Sequence, residues 1–181
     1  MQNGLGTLLT EELKDLYSAE KQILKALPKI VRATTTETLR AALEDHLEET
    51  EGHVERLEEI FEHLDMKPGR KKCKGMEGLL EEGEEHFKEQ EEGALRDAAI
   101  IAAAQRVEHY EIAAYGTALA YARELGIDEA ASLLEATLEE ERGADERLSE
   151  IAESEVNEEA AAEDEEEEEV VVTPRRKRAA R

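Results

Sequence analysis

The sequence predicts an all-α protein, an antiparallel four-helix bundle with a short extra helix in the crossover between the second and third long helices. Three observations carry this expectation. Four long segments repeat apolar residues at the 3.6-residue helical period. The composition favours helices, with Ala, Glu, Leu and Arg dominant, only 3 Pro, no Trp and 3% aromatic residues. The first and last inter-helix links are short, whereas the middle one is long. Short links make antiparallel hairpins.

The first helix is expected from Thr7 or Thr10 to Ala33, with the stripe Leu9, Leu13, Leu16, Glu20, Ile23, Leu27 and Ile30. Thr10, followed by Glu11 and Glu12, is a candidate N-cap, and Pro28 predicts a kink or an early end. The second helix is expected from Thr36 to Asp65, with a capping box over Thr34–Glu37. Its stripe is Leu39, Leu43, His46, Thr50, His53, Leu57, Ile60 and Leu64, and Met66-Lys67-Pro68-Gly69 stops it. A basic loop, Arg70 to Lys74, leads to a shorter helical stretch over Met76 to Gln90. The third long helix runs from Ala94 to Leu125 with the stripe Ile101, Gln105, Glu108, Ile112, Tyr115, Leu119 and Ala122, closed by Gly126. Asp128 caps the fourth, which reaches Ala152 through Leu134, Leu138, Glu141, Asp145 and Leu148. Two hairpins joined by one long crossover form the ferritin-like arrangement. The bundle is expected over residues 1–153. Residues 154–181, an acidic run at Glu165 to Glu169 and a basic end at Arg175 to Arg178, are expected to form a disordered tail.

The chain has 181 residues and a formal net charge of −24. Residues 154–181 hold ten acids and five bases, so the remaining 37 acids and 18 bases leave the bundle at −19. Such a surface repels nucleic acid and anionic lipid. It fits either a host with high internal salt or an ordinary acidic bacterial protein. No apolar stretch is long enough to span a membrane, no secretory signal opens the chain, and Cys73 is alone. A cytoplasmic protein with no nucleic-acid or membrane partner is the expectation.

The informative residues are acids that interrupt apolar stripes. Glu20, Glu108 and Glu141 each sit mid-helix among leucines and isoleucines, and in an antiparallel bundle such positions meet at one level. A carboxylate buried alone is very costly, and several together repel one another unless cations neutralise them. On the second helix His46, Glu49 and His53 share an edge, and on the third Glu111 follows Glu108 by one turn. Glu140 and Asp145 flank Glu141, and a small rotation of that helix decides whether Glu140 or Glu141 faces inward. Oxygen donors with a few imidazoles suit iron or manganese, two ions when fully occupied. The competing reading is structural: with 47 acids some fall on any stripe, and His46 and His53 can be core histidines bonded to carboxylates. His63, His86 and His109 read as surface or boundary positions, and Tyr110, Tyr115 and Tyr121 as packing residues. Tyr17, one turn from Glu20, is placed to donate to a ligand carboxylate.

Several longer motifs add a resemblance. Leu13-Lys14-Asp15-Leu16-Tyr17-Ser18-Ala19-Glu20-Lys21-Gln22 with Leu27-Pro28 resembles the opening of the YciE/YciF family of ferritin-like stress proteins. His46-Leu47-Glu48-Glu49-Thr50, Arg56-Leu57, Cys73-Lys74-Gly75-Met76-Glu77-Gly78-Leu79 and Ala104-Gln105-Arg106-Val107-Glu108-His109-Tyr110-Glu111 agree with it. The resemblance covers Thr10 to Ile151 and implies a five-helix unit, a homodimer and a role in stress response. The wider ferritin-like group implies iron oxidation, peroxide reduction or catalase-like chemistry, with a small oxidant or a metal ion as substrate. Its ligand picture carries over by position to Glu20, Glu49, Glu108 and Glu111, and to Glu141. Rubrerythrin-like members carry Glu-x-x-His on the second and fourth helices, and this chain departs from that. Gly52 stands three residues after Glu49, with His53 one further, and Gly143 and Ala144 follow Glu140 and Glu141. A di-metal oxidoreductase and a non-catalytic dimeric helical scaffold with an empty site are therefore the two functional expectations, with iron storage in a cage as a third.

Overall fold

The apolar residues of the first stripe, Leu9, Leu13, Leu16, Ile23 and Leu27, are all buried on one face of α1 (Leu5–Ala33). The structure, a computed structural model, describes residues 4–163. Alpha helices follow as α2 (Glu37–His63), α3 (Lys74–Lys88), α4 (Ala94–Glu124) and α5 (Asp128–Ile151), with no strand among the described residues. α1 packs on α2, α2 on α5, α5 on α4 and α4 on α1, which closes a four-helix ring, while α3 lies against α4 and α1. The expected all-α bundle with a short crossover helix is what forms.

The ring encloses two apolar clusters. At one end Leu9, Leu13 and Leu16 meet Leu57, Ile60 and Phe61 of α2, Tyr115, Leu119 and Ala122 of α4, and Leu134 and Leu138 of α5. At the other, Ile23 and Leu27 meet Leu39, Leu43, Ile100, Ile101, Leu148 and the α3 residues Met76 and Phe87. Low numbers of α1 face high numbers of α4, and low numbers of α2 face high numbers of α5. Both pairs are therefore antiparallel. Burying each large side chain contributes on the order of 2 kcal/mol, so the clusters fix the level at which the helices meet. The polar residues between them are held at mid-bundle.

Helix ends differ from the local expectations. α1 begins at Leu5 rather than at Thr7 or Thr10, and the Thr10 hydroxyl donates back to the Gly6 carbonyl at 2.9 Å instead of capping. Pro28 does not end α1. The Thr34–Glu37 capping box does not form, because the Thr34 hydroxyl donates to the Ile30 carbonyl. The start of α2 is capped from α4, where the buried Asp97 carboxylate accepts from the Thr35 amide at 3.0 and 3.1 Å and the Thr36 amide at 2.6 Å. Gly126 does close α4, with φ of +68°. The Cys73 thiol caps α3 by accepting from the Met76 amide at 3.3 Å.

The bundle also extends past the expected boundary at 153. Ala152–Val156 form one wide π-helical turn, residues 157–163 are again α-helical, and Val156 and Ala160 are buried. The wider turn re-phases the helix so that Val156 still reaches the apolar cluster beside α3. Glu163 then caps α4, accepting from the Ala94 and Leu95 amides at 3.1 and 3.2 Å. Gly93 has φ of +154°, where a side chain is strained, and a Cβ there would also displace the Glu163 carboxylate, 2.8 Å away. The remaining tail expectation, the acidic run and the basic end, lies outside the described residues.

Candidate metal centre

Four helices each send polar side chains into the band between the two apolar clusters. α1 contributes Glu20, α2 His46, Thr50 and His53, α4 Glu108 and Glu111, and α5 Glu141, all buried. Each occupies a place in an apolar stripe, so the packing that buries the leucines also carries these groups inward. Leu134, Glu141 and Leu148 are spaced by seven residues, two helical turns, and all three are buried. That spacing settles the Glu140–Glu141 alternative: Glu141 faces the centre and Glu140 points to the bundle edge.

Donor atoms gather in two overlapping groups. Glu20, His53 and Glu141 bring one donor each within 4.8 Å of one another, and so do His46, Glu108 and Glu141. Glu141 is common to both. His46 and His53, seven residues apart on α2, place their ring centroids 6.2 Å apart, one in each group. His53 Nδ1 stands 3.0 Å from Glu141 Oε1 and 3.4 Å from Glu20 Oε1. His46 Nε2 stands 3.5 Å from Glu108 Oε1. Yet His53 Nδ1, Glu20 Oε2, Glu108 Oε2 and both oxygens of Glu111 and of Glu141 are buried without a hydrogen-bond partner. The 3.0 Å contact is close, but its geometry is not that of a hydrogen bond. The atoms converge without satisfying one another, a costly arrangement for buried polar groups.

Protonation follows from this crowding. Burial, with the neighbouring carboxylates Glu20 and Glu141, holds Glu111 well above the ordinary carboxyl range. Burial likewise raises Glu108 well above it, against the pull of His46. Burial raises Glu141 as well, although His53 opposes it. Burial works to lower the His53 pKa, but its contacts with Glu141 and Glu20 outweigh this and push it up to about 11. His46 is raised too, burial opposing and Glu108 and Glu49 favouring its charged form.

Around these groups stand residues that hold them. The other ring nitrogen of His53, Nε2, lies 2.9 Å from Glu140 Oε2. Glu140 is gripped by both guanidinium nitrogens of Arg56, at 2.6 and 2.7 Å. A carboxylate on the outer nitrogen is the usual second partner of a metal-bound histidine, and once the ring gives up its inner proton the Nδ1 lone pair faces the centre. The hydroxyl of the fully buried Tyr115 donates to Glu20 Oε1.

The sequence-based candidates therefore divide. Glu20, His46, His53, Glu108 and Glu141 come together, and Glu111, fully buried on the next turn of α4, lies beside Glu20, Glu108 and Glu141 though outside both donor groups. Glu49 does not: its side chain is 31% exposed, 3.5 Å from His46 Nδ1, and outside both donor groups. Asp145 stays at the edge, 3.2 Å from the exposed His109. Tyr17 donates to Glu58 at 2.8 Å rather than to Glu20. Tyr115, expected as a packing residue, is a partner of the centre. The Arg56–Glu140 pair was missed, although Arg56 stands three residues after His53, one turn along the same face.

Six side chains converge, four of them carboxylates. Four negative charges balance two divalent cations, −4 against +4, with both imidazoles neutral. The donor set is oxygen with nitrogen and lacks thiolate, since Cys73 sits at the start of α3. These residues fit iron or manganese.

Residues 5–161 match the family described as a domain of unknown function, DUF892. The chain is 50% identical over 149 residues to protein YciF of Escherichia coli strain K12, covering 82% of this chain and 90% of that protein. The crystal structure of the E. coli stress protein YciF is similar at a TM-score of 0.82 and 47% identity, over 87% of this chain and 99% of that one. YcfI from Rhodopseudomonas palustris, proposed as a structural protein, is similar at 0.79 and 44% identity, over 81% of this chain and 94% of that one. A protein of Xanthomonas campestris, 22% identical at a TM-score of 0.71 over 90% of this chain and 99% of that one, shares the fold.

Proposed function

The chain belongs to the DUF892 family alongside the stress protein YciF, and we propose that it is a metal-dependent stress protein with a dinuclear iron or manganese centre. The observation that carries this reading is the set of orphaned, fully buried donor atoms converging from four helices. Glu20 and His53 would hold one ion and His46 and Glu108 the other. Glu141 would bridge the two, and Glu111 would complete the carboxylate set. Bound there, the ions would supply Lewis acidity and one-electron redox steps, which suits peroxide or ferrous iron as substrate. The protein's own part is to place and insulate. Arg56 and Glu140 orient His53, Tyr115 holds one oxygen of Glu20, and the apolar clusters above and below exclude water.

A second reading is favoured by one observation. The raised carboxyl pKa values of Glu108, Glu111 and Glu141 allow the cluster to share protons with no cation present, as in a helical scaffold with an empty site. Elemental analysis separates the two. After anaerobic addition of ferrous iron and removal of excess, the metal centre predicts about two ions per chain, and the scaffold predicts none in stoichiometric amount.

A further inference from the structure

The two halves of the centre are unequally closed. On the His53 side the outer ring nitrogen is bonded to the protein: Nε2 faces Glu140, and Arg56 clamps Glu140 from beyond. The His46 side differs. Between α2 and α5 lies a cavity of about 10 Å³ with His46 and Glu108 on its floor and Glu49, Ala144 and Arg147 around it. That volume holds about one water molecule. Ala144 leaves the space open, because a larger side chain on that face of α5 would fill it. At the rim Glu49 is 31% exposed and Arg147 is 42% exposed, the latter 3.3 Å from Asp45 Oδ2. His46 has no closer contact to Glu49 or Glu108 than 3.5 Å, so its ring is not pinned as that of His53 is.

We propose that this notch is the port of the metal centre, with Glu49 as the carboxylate that receives an incoming cation and passes it to His46 and Glu108. This rests on the dinuclear reading above. A cation passing through a cavity with room for one water sheds hydration and needs an oxygen donor in its place. Glu49 supplies one at the boundary between solvent and the inner donors. Arg147 stands beside it and opposes cations, so the two rim charges act with opposite sign on entry. The same cavity has room for one exogenous ligand about the size of water on the His46 side. Glu49 is thus a residue of transit rather than a resident ligand.

Stopped-flow uptake of Co(II) by the full chain, followed by the visible absorption of the bound ion, tests this. Glu49→Gln should slow uptake roughly tenfold at low salt, and Arg147→Gln should speed it, both with the final stoichiometry of the parent. Ala144→Val should slow uptake by filling the notch. Arg123→Gln, the same loss of charge at an exposed position near the far end of α4, should not change it. Unchanged rates in both Glu49→Gln and Arg147→Gln would overturn the port, as would an equal change of rate in Arg123→Gln. Should Ala144→Val fail to fold, the two rim variants decide the matter, since both sites are partly exposed. A parent chain that binds no Co(II) overturns the metal centre itself, and the port with it.

Discussion

Replacing Glu140 by Ala separates what orients the centre from what builds the fold. The change removes the partner of His53 Nε2 at 2.9 Å and both guanidinium contacts of Arg56. Loss of such a supporting contact weakens metal affinity by about 10- to 100-fold, equivalent to about 1.4–2.7 kcal/mol. The cost to the fold is separate. The side chains of Arg56 and Glu140 are 26% and 32% exposed, so their ion pair contributes only about 1 kcal/mol. Leaving the buried imidazole without its acceptor adds about 1–2 kcal/mol. The total of about 2–3 kcal/mol should lower the melting temperature of the metal-free protein by about 5–10 °C. The assay pairs thermal melts of the metal-free chain with Co(II) titration against a competing chelator. Glu140→Gln, which keeps an acceptor but not the charge, should fall between parent and Ala. Glu139→Ala, at the exposed neighbouring position, should change neither quantity. A Glu140→Ala protein that melts lower but binds Co(II) within twofold of the parent would refute the role given to His53 Nδ1.

The metal-free protein should be most stable in mild acid. Glu108, Glu111 and Glu141 have raised pKa values, so their contribution is greatest below the ordinary carboxyl value of 4.5 and declines as pH rises above it. The His53 contribution is fully present below 6.5 and is lost as pH rises towards about 11. Glu49 and Glu140 are lowered, by the His46 contact and by Arg56 against burial respectively, and their contribution is lost as pH falls below 4.5. Melting temperatures taken across pH should therefore peak between 4.5 and 6.5, and bound divalent metal should flatten the alkaline side. A maximum above pH 8 in the metal-free state would contradict this assignment. Asp97→Ala should cost about 2 kcal/mol in thermal or denaturant unfolding, because it strips the amides of Thr35 and Thr36 of their acceptor. Asp97→Asn should recover part of that, and an unchanged midpoint in Asp97→Ala would show that water replaces the cap.

Spacing along one helix fixes which face a residue takes, and this made most of the bundle legible. Glu20, Glu108 and Glu141 stood in leucine stripes, and those stripes are buried. The same rule places Glu49 less well, because a shared edge is not a shared direction. At about 100° per residue His53 points within about 20° of His46, whereas Glu49 is turned by about 60°. That turn is enough to carry a carboxylate from the centre to its rim. Contacts between distant segments were the hidden part. Nothing local to Thr34–Glu37 indicates that Asp97 caps α2, and nothing local to Tyr115 indicates that its hydroxyl meets Glu20. The helix continues past 153, which local spacing hides for a related reason. The π turn at Ala152–Val156 breaks the 3.6-residue period just where the stripe appeared to end.

The proposed centre would hold one ion on each side of Glu141. Crystals soaked in Mn(II) and measured for anomalous scattering test it most directly. A dinuclear centre should give two peaks inside the bundle, one among Glu20, His53 and Glu141 and the other among His46, Glu108 and Glu141. No peak in that band, or Mn(II) confined to surface carboxylates, would contradict it.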